Sequence, residues 1–457
     1  MNRLLLLIST IILVGLAGCK SAETISENPS TEKEEPLSPL AEIFASSEVF
    51  NEIFTGFALY DPDSDSTLYS QYADKYFTPA SNTKLFTFYA GLKSLPDSLK
   101  GIEYVIKGDS LIFWGTGDPT FLHPDFESEE MFNFLKNAPG NLYYSDENFK
   151  DDQLGPGWAW GDYQYYYSTE KTPFPIYGNV VRFTMEEIEI RRVKSGSEGL
   201  AAIPDAFRNR IESSEKEDAP ILFRDFNDNT FEYKPETDTV TYTVDRPFHY
   251  TPELFTEMLS DTLGREVSYI NMKKPELTKA IYSSPVDTVY KRMLQPSDNF
   301  LAEQLLFVMA SEQGKNLNSR AAINELKSEF LDDLPDEPIW RDGSGLSRYN
   351  LFTPRSIVKL LKKIDDEFES DVELFSYFPV GGKSGTIKSW YAARSGGLPY
   401  VFAKTGTLSN NHCLSGYVIT KSGKKLLFSF MNNHYISSSN EIRIEMEKVL
   451  WHIHENF

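Results

Sequence analysis

Positive charge, cysteine and histidine are all scarce in this chain of 457 residues. Lys and Arg together number 45 against 67 Asp and Glu, leaving a net charge of −22 at pH 7. A surface that acidic repels phosphate backbones and anionic headgroups, so no nucleic-acid partner is expected. The two cysteines, Cys19 and Cys413, are too few for a disulfide framework or a multi-Cys zinc site. Among the six histidines only His452 and His454 lie close together, at the extreme C-terminus, where they read as residues of a closing helix rather than as metal ligands. No internal repeat is evident, and no apolar run reaches the roughly 20 residues that span a bilayer.

What is present fits a folded, water-facing protein. Hydrophobic residues make up 40% and charged residues 25%, with 27 Gly and 25 Pro, which argues against collagen-like, low-complexity or multi-span chains. The length predicts two or three domains. The first 18 residues combine Arg3, an uncharged stretch from Leu4 to Gly18 and small residues before a cut, the pattern of a signal peptide. Leu16-Ala17-Gly18-Cys19 resembles the bacterial lipobox, which implies lipidation of Cys19 and a membrane-anchored protein of the cell envelope on the periplasmic side. Residues 19–39, rich in Ser, Glu and Pro, predict a solvated tether, with the folded body beginning near Leu40.

Beyond the tether the pattern is mixed α+β. Gly56 to Tyr60 and Thr67 to Tyr69 flank Asp61-Pro62-Asp63-Ser64-Asp65 and predict a hairpin. Leu85, Phe88, Tyr89 and Leu92 have helical spacing, so a helix should start near Ala80 and stop before Pro96, with Ser81 in its first turn. Residues 94–245 carry short apolar runs broken by Gly, Pro, Asp and Asn and predict a β-rich region. Helical spacing then returns over Leu254–Leu263, Val286–Leu294, Asn299–Met309, Ala321–Leu331 and Pro354–Ile364. Alternating strands follow over Val401–Thr407, Leu414–Thr420 and Lys425–Asn432, and Ile442–Ile453 closes as a helix. The predicted organisation is a signal peptide over 1–18, a tether over 19–39, one domain formed by 40–93 and 246–457, and an inserted β-rich region over 94–245.

Nucleophilic acyl transfer needs a hydroxyl, a base and donors for the oxyanion. The chain has no Gly-x-Ser-x-Gly elbow and no histidine flanked as a triad member would be, which leaves lysine as base. Ser-x-x-Lys at the start of a helix places both side chains on one face. The pattern also occurs by accident, and only Ser81/Lys84 and Ser356/Lys359 open apolar helices. Ser81-Asn82-Thr83-Lys84, Ser297-Asp298-Asn299 and Lys404-Thr405-Gly406-Thr407 occur in the order found in class A β-lactamases and penicillin-binding proteins. After Ser356 the remaining candidate pieces are too close together to supply a helical element and a separate strand. Lys383-Ser384-Gly385-Thr386, a rival third motif, follows Pro379 and two glycines and reads as a loop.

With Gly115-Thr116-Gly117-Asp118-Pro119 and Asp342-Gly343-Ser344-Gly345-Leu346-Ser347, these motifs resemble the low-molecular-mass class C penicillin-binding proteins, the D-alanyl-D-alanine carboxypeptidase/endopeptidase family. The likeness runs from about Thr55 to the C-terminus, and the family places its β-rich insertion between the first two motifs. It implies a penicillin-binding, β-lactamase-like fold whose substrate is the peptidoglycan stem peptide and whose covalent inhibitors are β-lactams. By the same resemblance Ser81 attacks the penultimate D-Ala carbonyl, Lys84 takes its proton, and Ser297 relays a proton to the leaving amine. Asn299 holds the substrate amide, while Lys404, Thr405, Gly406 and Thr407 form the strand that binds the terminal carboxylate. The amides of Ser81 and Thr407 make the oxyanion hole, each donor worth roughly 3–4 kcal/mol of barrier. No metal or cofactor is implied. Two departures stand out. Lys383 and Ser384 occupy a stretch where the family commonly shows an acidic residue, and the aromatic run from Trp158 to Tyr167 contains Asp162, which either receives the amino end of a stem side chain or is a turn residue. Two rival readings are a β-lactamase, for which no residue can be assigned to activate the deacylating water, and a catalytically idle peptidoglycan-binding lipoprotein.

Overall fold

The computed structural model describes residues 38–126, 129–185, 200–213, 222–234 and 242–457. The expected signal peptide, Cys19 and all of the tether before Ser38 lie outside them. No helix among the described residues is long and apolar enough to cross a membrane.

A five-stranded antiparallel sheet organises the first body, in the order Val401–Leu408, Asn411–Ile419, Lys425–Asn433, Phe54–Asp61, Ser66–Gln71. The N-terminal hairpin thus joins the C-terminal meander, Phe57 pairing with Phe430 across more than 370 residues of chain. Burial on both faces explains the unbroken apolar texture of Lys425–Asn433, in which every residue after Lys425 is buried. One face is covered by the closing helix Ser439–Asn456 and the short helix Pro39–Ser46, through Phe44, Met446 and Leu450. The other packs on a helical layer that holds Lys84–Ser94, Asn299–Glu312, Ser319–Phe330 and Pro354–Asp365.

The helix Asn299–Glu312 is apolar almost all round, and Phe300 through Ser311 are all buried, as an axial helix inside a bundle must be. Asp298 caps it, its carboxylate accepting the Leu301 amide at 3.1 Å. The capping requirement fixes where the chain turns from the Ser297 loop into the helix.

The second body carries a five-stranded mixed sheet in the order Val267–Tyr269, Asn141–Tyr144, Ser110–Gly115, Ser98–Lys107, Lys279–Pro285. Two three-stranded sheets adjoin it, one containing Val180–Met185 and Tyr242–Pro247, the other Phe231–Tyr233. The boundary predicted at 245 needs correction. Two strands of the larger sheet come from residues 267–285, and Leu254, Phe255, Met258, Leu259 and Leu263 of the helix Pro252–Leu263 belong to the same apolar core. The inserted body therefore runs to Pro285, where the helix Val286–Leu294 returns the chain to the first core. Helical spacing identifies a helix but not the core that receives it.

Candidate active site

Three segments meet at one edge of the first sheet: a turn that opens a helix, a loop joining two helices, and the edge strand. At the first, residues Ala80–Thr83 form a tight 3-10 turn that feeds the helix Lys84–Ser94. Ala80 sits at φ +47°, a conformation that costs an L-residue energy and persists only where neighbours enforce it. Thr83 Oγ1 donates to the Ala80 carbonyl at 2.9 Å. Gly345, at φ +85°, lies so close that a Cβ there would come within 1.9 Å of the same oxygen. The turn puts Ser81 at the surface of the cleft and Lys84 beneath it, fully buried.

Lys84 Nζ has three partners: Ser81 Oγ at 2.9 Å, Asn299 Oδ1 at 2.6 Å and the Ser344 carbonyl at 2.7 Å. Burial pushes its pKa down to about 8, opposed by the charges of Asp298, Glu303 and Asp342. The Ser344 carbonyl is itself aimed from below. Glu303, one helical turn beyond Asn299, accepts the amides of Gly343 at 3.1 Å and Ser344 at 2.8 Å. Burial, then the charge of Asp342, raises the Glu303 carboxyl to about 7. Asp342 in turn gathers the amides of Gly345 and Ser347, the Asn350 side chain and the Trp158 indole.

Ser297 lies in the second segment, at φ +69°. Its hydroxyl accepts from Lys404 Nζ at 2.7 Å, and Lys404 also donates to the Thr405 carbonyl at 2.7 Å. Burial and the neighbouring charge of Lys84 hold Lys404 well below an ordinary lysine. Asn299 Nδ2 donates to the Tyr167 carbonyl at 2.8 Å, so both ends of this amide have protein partners. Asn299 is thus a hydrogen-bond partner of the lysine, whereas the resemblance gave it the substrate amide.

The third element is the strand Val401–Leu408. Gly406 has no room for a side chain: a Cβ would lie 2.4 Å from the Pro79 carbonyl and 2.9 Å from the amides of Ser81 and Asn82. Asn82 Nδ2 donates to the Lys404 carbonyl at 2.9 Å while its oxygen accepts from Ser415 at 2.6 Å, clamping turn to strand. Thr405 Oγ1 donates to Thr386 Oγ1 at 2.7 Å, which brings the loop read as Lys383-Ser384-Gly385-Thr386 to the rim of the site. Thr407 is exposed, its hydroxyl 2.9 Å from Nδ1 of His412, an imidazole that burial pushes down to about 3.

All of Ser81, Lys84, Ser297, Asn299, Lys404, Thr405, Gly406 and Thr407 therefore converge on one cleft. Ser356 does not. It is buried and ties Asp336, donating to its carbonyl at 3.1 Å and accepting its amide at 3.0 Å. Asp162 accepts from the Tyr167 hydroxyl at 3.3 Å, beside the site. Glu303 and His412 were not singled out from the sequence, and Ser344, Thr386 and Tyr167 were quoted there only as members of longer motifs, without a role of their own. Among the described residues no group of three metal-ligating side chains exists.

Residues 38–453 match the model of the D-Ala-D-Ala carboxypeptidase 3 (S13) family. The D-alanyl-D-alanine carboxypeptidase DacB of Haemophilus influenzae is 24% identical over 401 residues, covering 79% of this chain and 81% of the relative. The D-alanyl-D-alanine carboxypeptidase of Actinomadura sp. (strain R39) is 26% identical over 421 residues, covering 83% and 77%. Among solved structures, penicillin binding protein 4 (dacB) of H. influenzae superposes with a TM-score of 0.72 at 19% identity, covering 92% of this chain and all of that one, and so shares the fold.

Proposed function

Because the chain belongs to the D-Ala-D-Ala carboxypeptidase 3 (S13) family, we propose that its cleft runs a serine acyl-transfer reaction on the stem peptides of peptidoglycan with Ser81 as nucleophile. The protein is a serine-type, penicillin-binding D-Ala-D-Ala carboxypeptidase. The observation that carries the assignment of residues is the 2.9 Å hydrogen bond between Ser81 Oγ and a buried Lys84 whose pKa is about 8. A lysine so depressed is partly neutral near pH 7 and accepts the proton of an attacking hydroxyl.

In the reaction Ser81 Oγ adds to the carbonyl of the penultimate D-Ala as its proton passes to Lys84. The amides of Ser81 and Thr407 hold the oxyanion. The C–N bond then breaks, and the leaving amine takes a proton from Ser297, which is resupplied by the lysines. Lys404, Thr405 and Thr407 bind the terminal carboxylate. Water adds to the Ser81 ester, releases the shortened stem as a carboxylate and returns the proton to Ser81. A β-lactam follows the first half of the same route and remains as an ester on Ser81.

The Leu16-Ala17-Gly18-Cys19 sequence supports a lipid on Cys19, and with it a place on the periplasmic side of the cell envelope. The residue set also favours an enzyme over an idle binding protein, since binding alone requires neither a depressed lysine nor a serine bonded to it. The test is to incubate the protein with a pentapeptide ending in D-Ala-D-Ala and weigh the products. Loss of one D-Ala is expected, and an intact pentapeptide after prolonged incubation overturns the reading.

A further inference from the structure

At the end of the first sheet, beyond the hairpin tip that follows Thr407, three aromatic rings stand in solvent. Phe54 is 66% exposed, Tyr72 62% and Tyr76 47%. With Lys75, the buried Phe77 and His434 they line a cleft of ≈ 510 Å³, a size that holds a small ligand. Neighbours hold the rings in place. The Tyr76 hydroxyl donates to the Glu337 carbonyl at 2.9 Å, and the His434 imidazole stands edge-on to Phe54 with centroids 5.5 Å apart. Tyr72 and His434 take φ of +45° and +63°, a conformation that costs an L-residue energy, and both side chains are exposed.

Covering an apolar ring face releases free energy, so contiguous exposed rings mark a binding surface. Polar groups are set among them. The Tyr72 hydroxyl and the His434 imidazole have no hydrogen-bond partner among the described residues, and Lys75, paired with Asp74 at 3.0 Å, has further hydrogens to donate. That ion pair cancels, which leaves no surplus charge to select an anion. The complement is a neutral ligand with flat apolar faces and a polar rim. A pyranose has this form: its axial C–H bonds lie against an aromatic face, and its hydroxyl and acetamido groups bond at the edge.

We propose that this aromatic cleft is a sugar subsite that holds the N-acetylated disaccharide carrying the stem peptide, so that the enzyme grips glycan and peptide together. The inference rests on the reaction proposed above. There the terminal carboxylate lies at Lys404 and Thr405 and the reacting carbonyl at the Thr407 amide, so the rest of the stem leads away towards Leu408. Leu408 faces Asn411, Asn411 faces Asn433 and Asn433 faces Phe54, in one row across four strands. Three strand spacings put Phe54 about 14 Å from Leu408. The stem between the sugar and the reacting carbonyl also spans about 14 Å when extended, at about 3.5 Å for each of its four residues. The Asn410 carbonyl at the hairpin tip accepts the His434 amide at 2.7 Å, which joins the end of the carboxylate-binding strand to the wall of the cleft. A membrane is the poorer occupant, because a net charge of −22 repels anionic headgroups.

Phe54→Ala and Tyr72→Ala each trim an exposed ring outside the core. Two substrates separate sugar from peptide: the bare pentapeptide, and the same pentapeptide on its N-acetylglucosaminyl-N-acetylmuramyl disaccharide. On the second, each variant should raise KM about fivefold, the loss of one stacked ring, with kcat kept. On the bare pentapeptide KM should stay within about twofold of the parent. Equal losses on both substrates, or none on the disaccharide substrate, overturn the subsite. A thermal midpoint near the parent's shows that a variant is folded, and if Tyr72→Ala fails this, Phe54→Ala decides. If the parent leaves both pentapeptides intact, the proposed reaction has failed instead, and the subsite is read by saturation-transfer NMR with tetrameric N-acetylglucosamine. A signal in the parent that Phe54→Ala removes supports the subsite; equal signals in both, or none in either, overturn it. Co-sedimentation with phosphatidylcholine vesicles that the variants lose, with KM unchanged, assigns the patch to a membrane and overturns it too.

Discussion

Lys84 Nζ lies closer to Asn299 Oδ1, at 2.6 Å, than to Ser81 Oγ, at 2.9 Å. A lysine that shares its hydrogens among an amide oxygen, a carbonyl and a hydroxyl is held in one rotamer, which places the base before any substrate arrives. Its three partners come from three separate stretches of chain, so the geometry depends on the packing of the whole helical layer.

The nucleophile is the first point to test. Labelled penicillin should attach to a single peptide containing Ser81, and Ser81→Ala should abolish both labelling and D-Ala release. Ser356→Ala should keep the label while losing about 1 kcal/mol of stability, because the half-buried Asp336 amide loses its acceptor. Peptide mapping by mass spectrometry that finds the label on Ser356, or retained in Ser81→Ala, defeats the assignment.

The depressed lysine sets a pH profile. Acylation needs neutral Lys84, so its rate should climb about tenfold per unit at low pH and level off above the lysine's value of about 8. The native state releases this proton more easily than the unfolded chain, which binds it up to the ordinary value of 10.5. Between those limits the unfolded chain carries more protons, and the stability contributed by this group rises with pH. Stopped-flow acylation with a chromogenic β-lactam reads the first effect, and a rate flat across that range would sink it.

Gly406→Ala should be close to inactive although it adds one methyl group. The new carbon would collide with the Pro79 carbonyl and the amides of Ser81 and Asn82. Strand and turn must separate, and a displacement near 1 Å in a reacting centre costs on the order of 100-fold. Near-parental acylation would show that the strand moves freely.

Glu303→Gln replaces an acceptor of two amides by a group that presents one N–H₂ to them. One buried donor loses its partner, at about 1–3 kcal/mol, and the Ser344 carbonyl loses its fixed aim at Lys84. Thermal unfolding should fall and the acid limb of the acylation profile should move. A lower melting temperature with an unchanged profile would reduce Glu303 to a purely structural residue.

His412→Ala removes the partner of the Thr407 hydroxyl, which is proposed to bind the terminal carboxylate. The expectation is a KM for pentapeptide raised about tenfold with kcat nearly unchanged, read from steady-state D-Ala release. A loss confined to kcat would place Thr407 in the chemistry rather than in recognition.

Much of this site was legible because its groups sit in short, ordered motifs. Ser81 and Lys84 are three apart on a predicted helix start, and Lys404 to Thr407 end an alternating strand. The unread part acts through the backbone or through tertiary contact. The carbonyls of Ser344 and Tyr167 belong to no residue type, and Glu303 looks from the sequence like any acid on an apolar helix. His412 has no neighbours that suggest a role, because its partner Thr407 lies across a strand pair. The boundary at 245 was misplaced for a related reason: helix Pro252–Leu263 has helical spacing whichever core it joins.

Among the hydrogen bonds that cross from the inserted body into the first, the Tyr167 carbonyl accepts from Asn299, and the backbone of Thr172 bonds Gln304 from both its amide, at 3.1 Å, and its carbonyl, at 2.9 Å. Asn299 and Gln304 lie on the axial helix that also carries Glu303. A designer who trimmed residues 94–285 to obtain a minimal penicillin sensor would strip that helix of its outer supports and leave its polar groups facing bare solvent. The insertion behaves as scaffolding for the pocket wall, so loop grafting between relatives must transplant Tyr167 and Thr172 together with the helix they brace.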